Sequence, residues 1–160
     1  MLDTFLNQTG EISLSLADKI KEHFWTETPP EFPSFDPAYA DDEDVVETAA
    51  FVGKRWSELN FELFDENSLV LDCLPKETLP YYFGAFLYLS LLEGRYWSNA
   101  ISRVSDIPGF LRLCGFLSFD QMRTAEEYFF SILDNLEAEQ IFEVKKILHV
   151  LERVLESRRT

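Results

Sequence analysis

The stretch LEAEQIFEVKKILHVLERVLESRR, residues 136–159, has the most regular apolar pattern in the chain. Its apolar residues recur at steps of three, four, three and four positions, at Ile141, Val144, Leu148, Leu151 and Leu155. This spacing places them on one face of an α-helix, as in the seam of a coiled coil. It predicts a C-terminal heptad-patterned helix over residues 138–158.

A second amphipathic segment lies directly upstream of this helix. Ser118 and Gln121 have the three-residue spacing of a capping box, which begins a helix. The apolar face of the predicted helix then comprises Met122, Ala125, Phe129, Ile132 and Leu136. Because the apolar phase breaks after Leu136, we expect a turn near Asn135 and an antiparallel helix pair rather than one long rod.

Helical patterning also extends over the rest of the chain. Apolar spacing and helix-end residues predict helices over about 14–25, 45–53 and 75–94, with Pro75 in the first turn of the third. Helix and strand remain alternatives for residues 69–74. Residues 95–106 have no clean period, and the following Ile-Pro-Gly indicates a break. We therefore predict an all-α fold, a single compact helical domain over residues 1–160 with about five or six helices.

Residues 26–40 form a proline-rich segment that cannot be helical. The four prolines lack a backbone donor and restrict the residues before them. Phe32, Phe35 and Tyr39 alternate with these prolines. We expect a crossing loop that packs on the body of the domain.

Charge separates the two halves of the chain. The whole sequence has 14 Lys and Arg against 29 Asp and Glu, a formal net charge of −15. Residues 1–80 contain 18 acids and 5 bases, whereas residues 81–160 contain 11 acids and 9 bases. Such a charge disfavours binding to nucleic acid and to anionic membranes, since both need cations on the protein. A basic protein is the partner that it favours.

The cysteines and the N-terminal residues indicate a cytoplasmic location. Cys73 and Cys114 lie in apolar surroundings without a Cys-x-x-Cys spacing, so we expect buried free thiols. The first residues, MLDTFLN, lack the cationic and apolar regions of a signal peptide. The apolar run at 81–92 is too short to span a bilayer.

No motif for catalysis, nucleotide binding or metal binding occurs in the sequence. The chain has two histidines, six glycines and none of the glycine-rich or His-Glu-x-x-His patterns. Glu137, Glu139 and Glu143 are predicted to lie on a solvated helix face rather than in a metal site. We therefore expect no enzymatic activity, no cofactor and no metal.

Two clusters allow a functional interpretation beside a structural one. Tyr81, Tyr82, Tyr88, Arg95, Tyr96 and Trp97 have the composition of an interface anchor, but they also fit core aromatic residues with hydroxyls at the boundary. Lys54, Arg55 and Trp56 follow Gly53, where cations suit the C-terminal end of a helix. The acids of 41–44 likewise suit a helix N-terminus.

Three ordered blocks carry a family resemblance: FVGKRWSEL at 51–59, LPKETLPYYFGAF at 74–86 and LSFDQ at 117–121. Together they resemble a family of small uncharacterised bacterial proteins with Phe-x-Gly-Lys-x-Trp and Pro-Glu-x-x-x-Tyr-Tyr-type blocks. The resemblance covers about residues 20–136. It implies a bacterial cytosolic domain and no particular activity. Phe83-Gly84 replaces a Leu-Pro of the family, which implies a less kinked helix, and the last helix is an addition.

Two functional hypotheses follow. The first is a protein-binding module whose acidic N-terminal half meets a basic partner, with immunity to or inhibition of a nuclease toxin as the concrete case. The second is a small-molecule-binding or enzymatic domain that uses the aromatic cluster of Tyr81 to Trp97. A homodimer through residues 138–158 is compatible with either. The predicted partner-binding residues are Asp41, Asp42, Glu43, Asp44, Glu47, Lys54, Trp56, Tyr81, Tyr82, Arg95, Tyr96 and Trp97.

Overall fold

Helix α5, Leu79–Glu93, is buried on most of its sides, and the other helices pack around it or around its neighbours. The structure is a computed structural model that describes residues 16–32 and 43–159, and for Glu43 and Asp44 it describes the backbone alone. Within these residues it contains α-helices and two 3-10 helices and no β-strand. The predicted all-α fold is therefore confirmed.

The helices follow one another with short connections. They are α1 (16–24), α2 (Glu43–Ala49), α3 (Phe61–Glu66), α4 (Val70–Cys73), α5 (Leu79–Glu93), α6 (Asn99–Val104), α7 (Ile107–Cys114), α8 (Phe119–Ile132) and α9 (Ala138–Arg159). The 3-10 helices are Trp56–Glu58 and Leu133–Asn135. These nine α-helices of the described residues exceed the five or six predicted, because α3, α4, α6 and α7 are too short for a clear apolar period.

The C-terminal helix pair agrees with the sequence pattern. Ser118 and Gln121 form a reciprocal capping box at the start of α8, and the 3-10 helix Leu133–Asn135 makes the turn. Helix α9 then folds back and packs on both α8 and α7. Most of its heptad seam, Val144, Leu148, Leu151 and Leu155, is buried within this chain. A homodimer through residues 138–158 would have to use the outer face of α9.

Helix boundaries differ from the prediction in the middle of the chain. Helix α5 begins at Leu79 rather than at Pro75, because Thr78 closes a turn on the carbonyl of Pro75 through both its amide (2.9 Å) and its hydroxyl (2.7 Å). Residues 69–74 are helical at Val70–Cys73. The Ile-Pro-Gly predicted to be a break is instead the first turn of α7, where proline needs no donor.

Gly94 ends α5 as the sequence indicates, whereas α2 ends at Ala49, before the predicted end near Gly53. Gly94 follows α5 with φ +66°, and Gly53 follows the turns after α2 with φ +69°. Both lie in the left-handed region that glycine adopts without steric cost.

Part of the proline-rich loop is described. Residues 26–32 are non-helical, and the ring of Phe32 contacts that of Tyr82 edge to face, with the ring centroids 5.8 Å apart. This contact fits the expected packing of the loop on the body. Phe35 and Tyr39 lie outside the described residues.

One cluster of buried side chains includes residues of eight of the nine described α-helices. The remaining helix, α2, packs on α4. Its largest members are aromatic and include Tyr82, Tyr128, Phe61, Phe86 and Phe129. They pack mainly at tilted or edge-to-face angles, the geometry that aromatic quadrupoles favour. The core therefore holds the ends of the short helices in fixed positions, including those that line the groove described next.

Candidate functional site

A groove of about 850 Å³ lies where the end of α6 and the start of α7 face the start of α9. Its lining includes the side chains that carry the argument below, Trp97, Asp106, Glu137, Glu139, Phe142, Glu143 and Lys146. We call this the acidic groove. Its volume is within the range of sites that bind ligands or peptide side chains.

Helix capping fixes both polar walls of the acidic groove. Asp106 is the N-cap of α7, and its Oδ1 accepts a hydrogen bond from the Gly109 amide at 3.2 Å. At the start of α9, the Gln140 side chain accepts one from the Glu137 amide at 3.0 Å. Polar residues that satisfy free amides are favoured at such helix starts. Local capping thus accounts for polar residues at each of the two helix starts, and the packing of α9 on α7 brings these starts to one groove.

The acidic groove carries more negative than positive charge. Four carboxylates line it against one ammonium, that of Lys146, which gives a net charge of −3. Glu137 and Glu139 are exposed and make no side-chain hydrogen bond or ion pair with the described residues. Glu143 is half-buried, and its carboxylate contacts Ser105 and Lys146. Two of the four carboxylates are thus free to contact a cationic group.

An exposed phenyl ring lies beside these carboxylates. Phe142 is 62% exposed, although it belongs to a helix whose other large apolar residues are mostly buried. The Lys146 ammonium lies 4.5 Å from its ring centroid. Trp97, half-buried and one residue before the N-cap of α6, also lines the groove. Aromatic and acidic side chains together can bind a cationic side chain through cation–π contacts and ion pairs.

The predicted aromatic cluster is divided between the core and this groove. Tyr81, Tyr82 and Trp56 are at most 5% exposed. The Tyr82 hydroxyl donates to the Phe51 carbonyl at 2.7 Å, and the Trp56 indole donates to the Tyr81 carbonyl at 3.1 Å. These side chains hold the core together, as the structural interpretation predicts.

Trp97 lines the acidic groove, whereas Arg95 and Tyr96 do not. Arg95 lies over the Phe61 ring, 4.6 Å from its centroid, and pairs with Glu62 at 2.8 Å. Its charge is therefore engaged within the chain. Tyr96 is half-buried against the core.

The predicted acidic residues near α2 are described only in part. Asp41 and Asp42 lie outside the described residues, and Glu43 and Asp44 form the start of the α2 backbone. Glu47 is half-buried, and its carboxylate accepts a hydrogen bond from the Leu69 amide at 3.4 Å. Lys54 is exposed after Gly53. The structure does not bring Glu47 or Lys54 to the acidic groove.

Sequence reasoning did not select the groove residues Asp106, Phe142 and Lys146, and it placed Glu143 on a solvated face. The C-terminal half has nearly balanced charge, so its average hides a local excess of acids. One signal was available: Phe142 lies off the heptad seam, between acids at 139 and 143. Aromatic residues are enriched in protein interfaces, so a phenyl ring among the acids of a predicted polar face was the available signal for a binding surface.

A second groove, of about 570 Å³, runs between α8 and α9. Phe130, which is 60% exposed, lines it together with Glu126, Lys145, Glu152, Glu156 and Arg159. Three carboxylates line this groove against two cationic side chains, so its net charge is closer to zero than that of the acidic groove. The second groove therefore provides charged residues on the same helix for control variants.

Comparison with known proteins gives no relative: no family model, no curated protein and no solved structure matches this chain. The resemblance to a bacterial family thus stays a prediction. Across residues 16–32 and 43–159, no helix combines the length and apolarity needed to cross a membrane. In the same residues, no three His, Cys, Asp or Glu side chains are grouped to hold a metal ion.

Proposed function

We propose that this protein is a binding module that takes a basic segment of a protein partner into the acidic groove. The net charge of −3 on the groove lining, beside an exposed phenyl ring, is the observation that carries the proposal. Immunity to or inhibition of a basic toxin, for example a nuclease, is the concrete case. A nuclease needs cations to hold phosphates, and covering those cations would inhibit it.

The exposed acids of the groove are better suited to binding a protein partner than to binding a small molecule in a buried site. Glu137 and Glu139 are exposed and without side-chain partners among the described residues, so ion pairing with them breaks no existing contact. Rim charges of this kind raise the association rate and reject partners of like charge. The chain's net charge of −15 acts in the same direction at longer range.

The proposed location is the cytoplasm. Cys73 is half-buried and Cys114 is buried, and neither forms a disulfide. Burial raises the pKa of Cys114 to about 12, which keeps this thiol protonated and slow to react. A reducing compartment is where free thiols are common.

A peptide-binding assay tests the groove directly. The probe is a fluorescein-labelled peptide rich in lysine and arginine with two leucines, measured by fluorescence anisotropy at low salt. We compare the double variant Glu137→Gln/Glu139→Gln with Glu152→Gln/Glu156→Gln, which removes the same charge from the same helix outside the groove. The groove variant should bind about fivefold more weakly, and the control variant less than about twofold.

Equal weakening by the two variants would show that total charge alone attracts the peptide, and the groove proposal would fail. Circular dichroism establishes that each variant is folded. For the toxin case, a gene for a basic growth inhibitor should lie next to this one, and co-expression of the native chain should restore growth. Restoration by the Glu137→Gln/Glu139→Gln variant to the same extent would contradict a role for the groove.

A further inference from the structure

Lys146 already occupies a position suited to a partner's cation. Its ammonium lies 4.5 Å from the centroid of the Phe142 ring and 3.2 Å from Oε1 of Glu143. These two contacts are the ones that an incoming basic side chain would make at this point of the acidic groove.

Oε2 of Glu143 shares its hydrogen-bond donor, the Ser105 hydroxyl, with a second acceptor. Glu143 Oε2 lies 3.1 Å from the Ser105 hydroxyl oxygen, but that hydroxyl is closer, at 2.8 Å, to the Ser102 carbonyl. A serine hydroxyl has one proton, so it cannot donate fully to both acceptors. Glu143 therefore retains acceptor capacity on Oε2 while Lys146 contacts Oε1.

Lys146 is held weakly enough to be displaced. The side chains of Lys146 and Glu143 are 38% and 32% exposed, and they are three positions apart on one helix. Ion pairs with this much solvent access contribute little to stability. The flexible lysine stem also lets the ammonium move into water without rearranging α9.

We propose that Phe142 and Glu143 form an arginine-binding position and that Lys146 is its internal competitor, which the partner's arginine displaces. This inference rests on the proposed function and names the group that is recognised. A guanidinium is planar, stacks on a phenyl ring and can donate to both oxygens of one carboxylate. A lysine ammonium is a point charge and would gain little over Lys146 itself.

Loss of the Lys146 ammonium should strengthen binding of a basic peptide to the acidic groove. Removing Lys146 frees Phe142 and Glu143, so binding of an arginine peptide should become tighter. Part of any gain would come from the more negative charge of the protein. Lys145→Gln measures that part, because Lys145 has the same charge, is exposed, and lines the α8–α9 groove instead.

The experiment uses two labelled peptides, one with arginines and one with lysines at the same positions, against the native chain and single variants. Lys146→Gln should bind the arginine peptide about threefold tighter than Lys145→Gln does, as expected for release of one exposed ion pair. The native chain should prefer the arginine peptide, and Phe142→Ala should reduce that preference, because only the contact with the Glu143 carboxylate remains. Phe142 is exposed, so this variant should remain folded.

The outcomes separate this inference from the proposed function. Suppose that Glu137→Gln/Glu139→Gln weakens peptide binding but that Lys146→Gln and Lys145→Gln bind with equal affinity. The role of Lys146 as an internal competitor is then overturned, and the proposed function stands. If arginine and lysine peptides bind the native chain equally, the arginine-binding position is overturned. If no peptide binds any of the variants or the native chain, both the proposed function and this inference are overturned.

Discussion

The hydroxyl oxygen of Tyr128 lies 2.5 Å from that of Ser90, deep in the core between α8 and α5. Ser90 also donates its single proton to the Leu87 carbonyl at 2.8 Å. With Tyr128 as the donor in the bond between them, both hydroxyl protons have an acceptor, and we therefore assign the donor to Tyr128. Two helices of the core are thus joined by a hydrogen bond with a defined direction.

This direction predicts unequal effects of removing the two partners. Tyr128→Phe removes a donor and leaves Ser90 bonded to Leu87, so it should lower the free energy of unfolding by about 1 kcal/mol. Ser90→Ala leaves a buried tyrosine donor unpaired and should cost about 2 to 3 kcal/mol. Urea unfolding followed by circular dichroism measures both.

Ser131→Ala is a matched control for Ser90→Ala. Ser131 donates to a carbonyl three residues earlier, as Ser90 does, but it is exposed and accepts from no tyrosine of residues 16–32 and 43–159. Its replacement should change stability by less than about 0.5 kcal/mol. A loss for Tyr128→Phe greater than that for Ser90→Ala would contradict the assigned donor.

Gly84 allows α1 to pack closely on α5. A Cβ at this position would overlap the side chain of Phe24, whose ring also meets that of Phe83 edge to face at 6.0 Å. Gly84→Ala should therefore destabilise the protein by about 1 to 3 kcal/mol, although alanine has the higher helix propensity. Thermal or urea unfolding gives this value.

A double-variant cycle distinguishes overlap with Phe24 from other causes. A Phe24→Gly background removes the Cβ as well as the ring atoms that the new Cβ would overlap, so Gly84→Ala should be neutral there or stabilising by up to about 1 kcal/mol. If Gly84→Ala costs as much in that background as in the native chain, contact with Phe24 is not the reason for the glycine.

The sequence predicted those features that depend on local pattern. The capping box of Ser118 and Gln121, the turn near Asn135 and the apolar face of α9 all follow from residues a few positions apart. The glycine after α5 was equally readable, because a left-handed residue ends many helices.

Other features depend on which elements meet in space, and the sequence did not reveal them. The short helix α6, for example, is too short to show an apolar period and is stabilised by packing on α3, α4 and α7. The acidic groove combines Asp106 with residues near Glu139, more than thirty positions apart along the chain. No local rule relates residues at such a separation.

Arg158 attaches the end of α9 to the end of α7. Its guanidinium donates to the carbonyl of Leu117 at 2.8 Å and to that of Cys114 at 3.1 Å. A cation at these carbonyls also opposes the negative end of the α7 dipole. Arg158→Ala should therefore lower the free energy of unfolding by about 1 to 2 kcal/mol.

The adjacent Arg159 is the control for Arg158. It is exposed and lines the α8–α9 groove, so Arg159→Ala removes the same charge and should change stability by less than about 0.5 kcal/mol. Chemical unfolding of the two variants under one set of conditions makes the comparison. Equal losses would show that net charge, and not the two carbonyl contacts, determines the effect.

Buried phenols predict that the protein loses stability in alkaline solution. Burial raises the pKa of Tyr81, Tyr82 and Tyr128 above the ordinary tyrosine value, and it raises the pKa of Cys114 to about 12. In the unfolded chain these groups titrate near their ordinary values, about 10 for tyrosine and about 8.5 for cysteine. Above those values the unfolded chain releases protons that the folded chain retains, so the free energy of unfolding falls as pH rises.

These four groups should leave the urea midpoint nearly unchanged between about pH 7 and pH 8.5, and should lower it with a growing slope above about pH 10. Tyrosinate absorbance reports the same event, since the three buried tyrosines should ionise only together with unfolding. Tyr128→Phe removes one of the contributing groups and should make the alkaline decline shallower. Full ionisation of all tyrosines in a chain that remains folded would contradict the buried, protonated state of these hydroxyls.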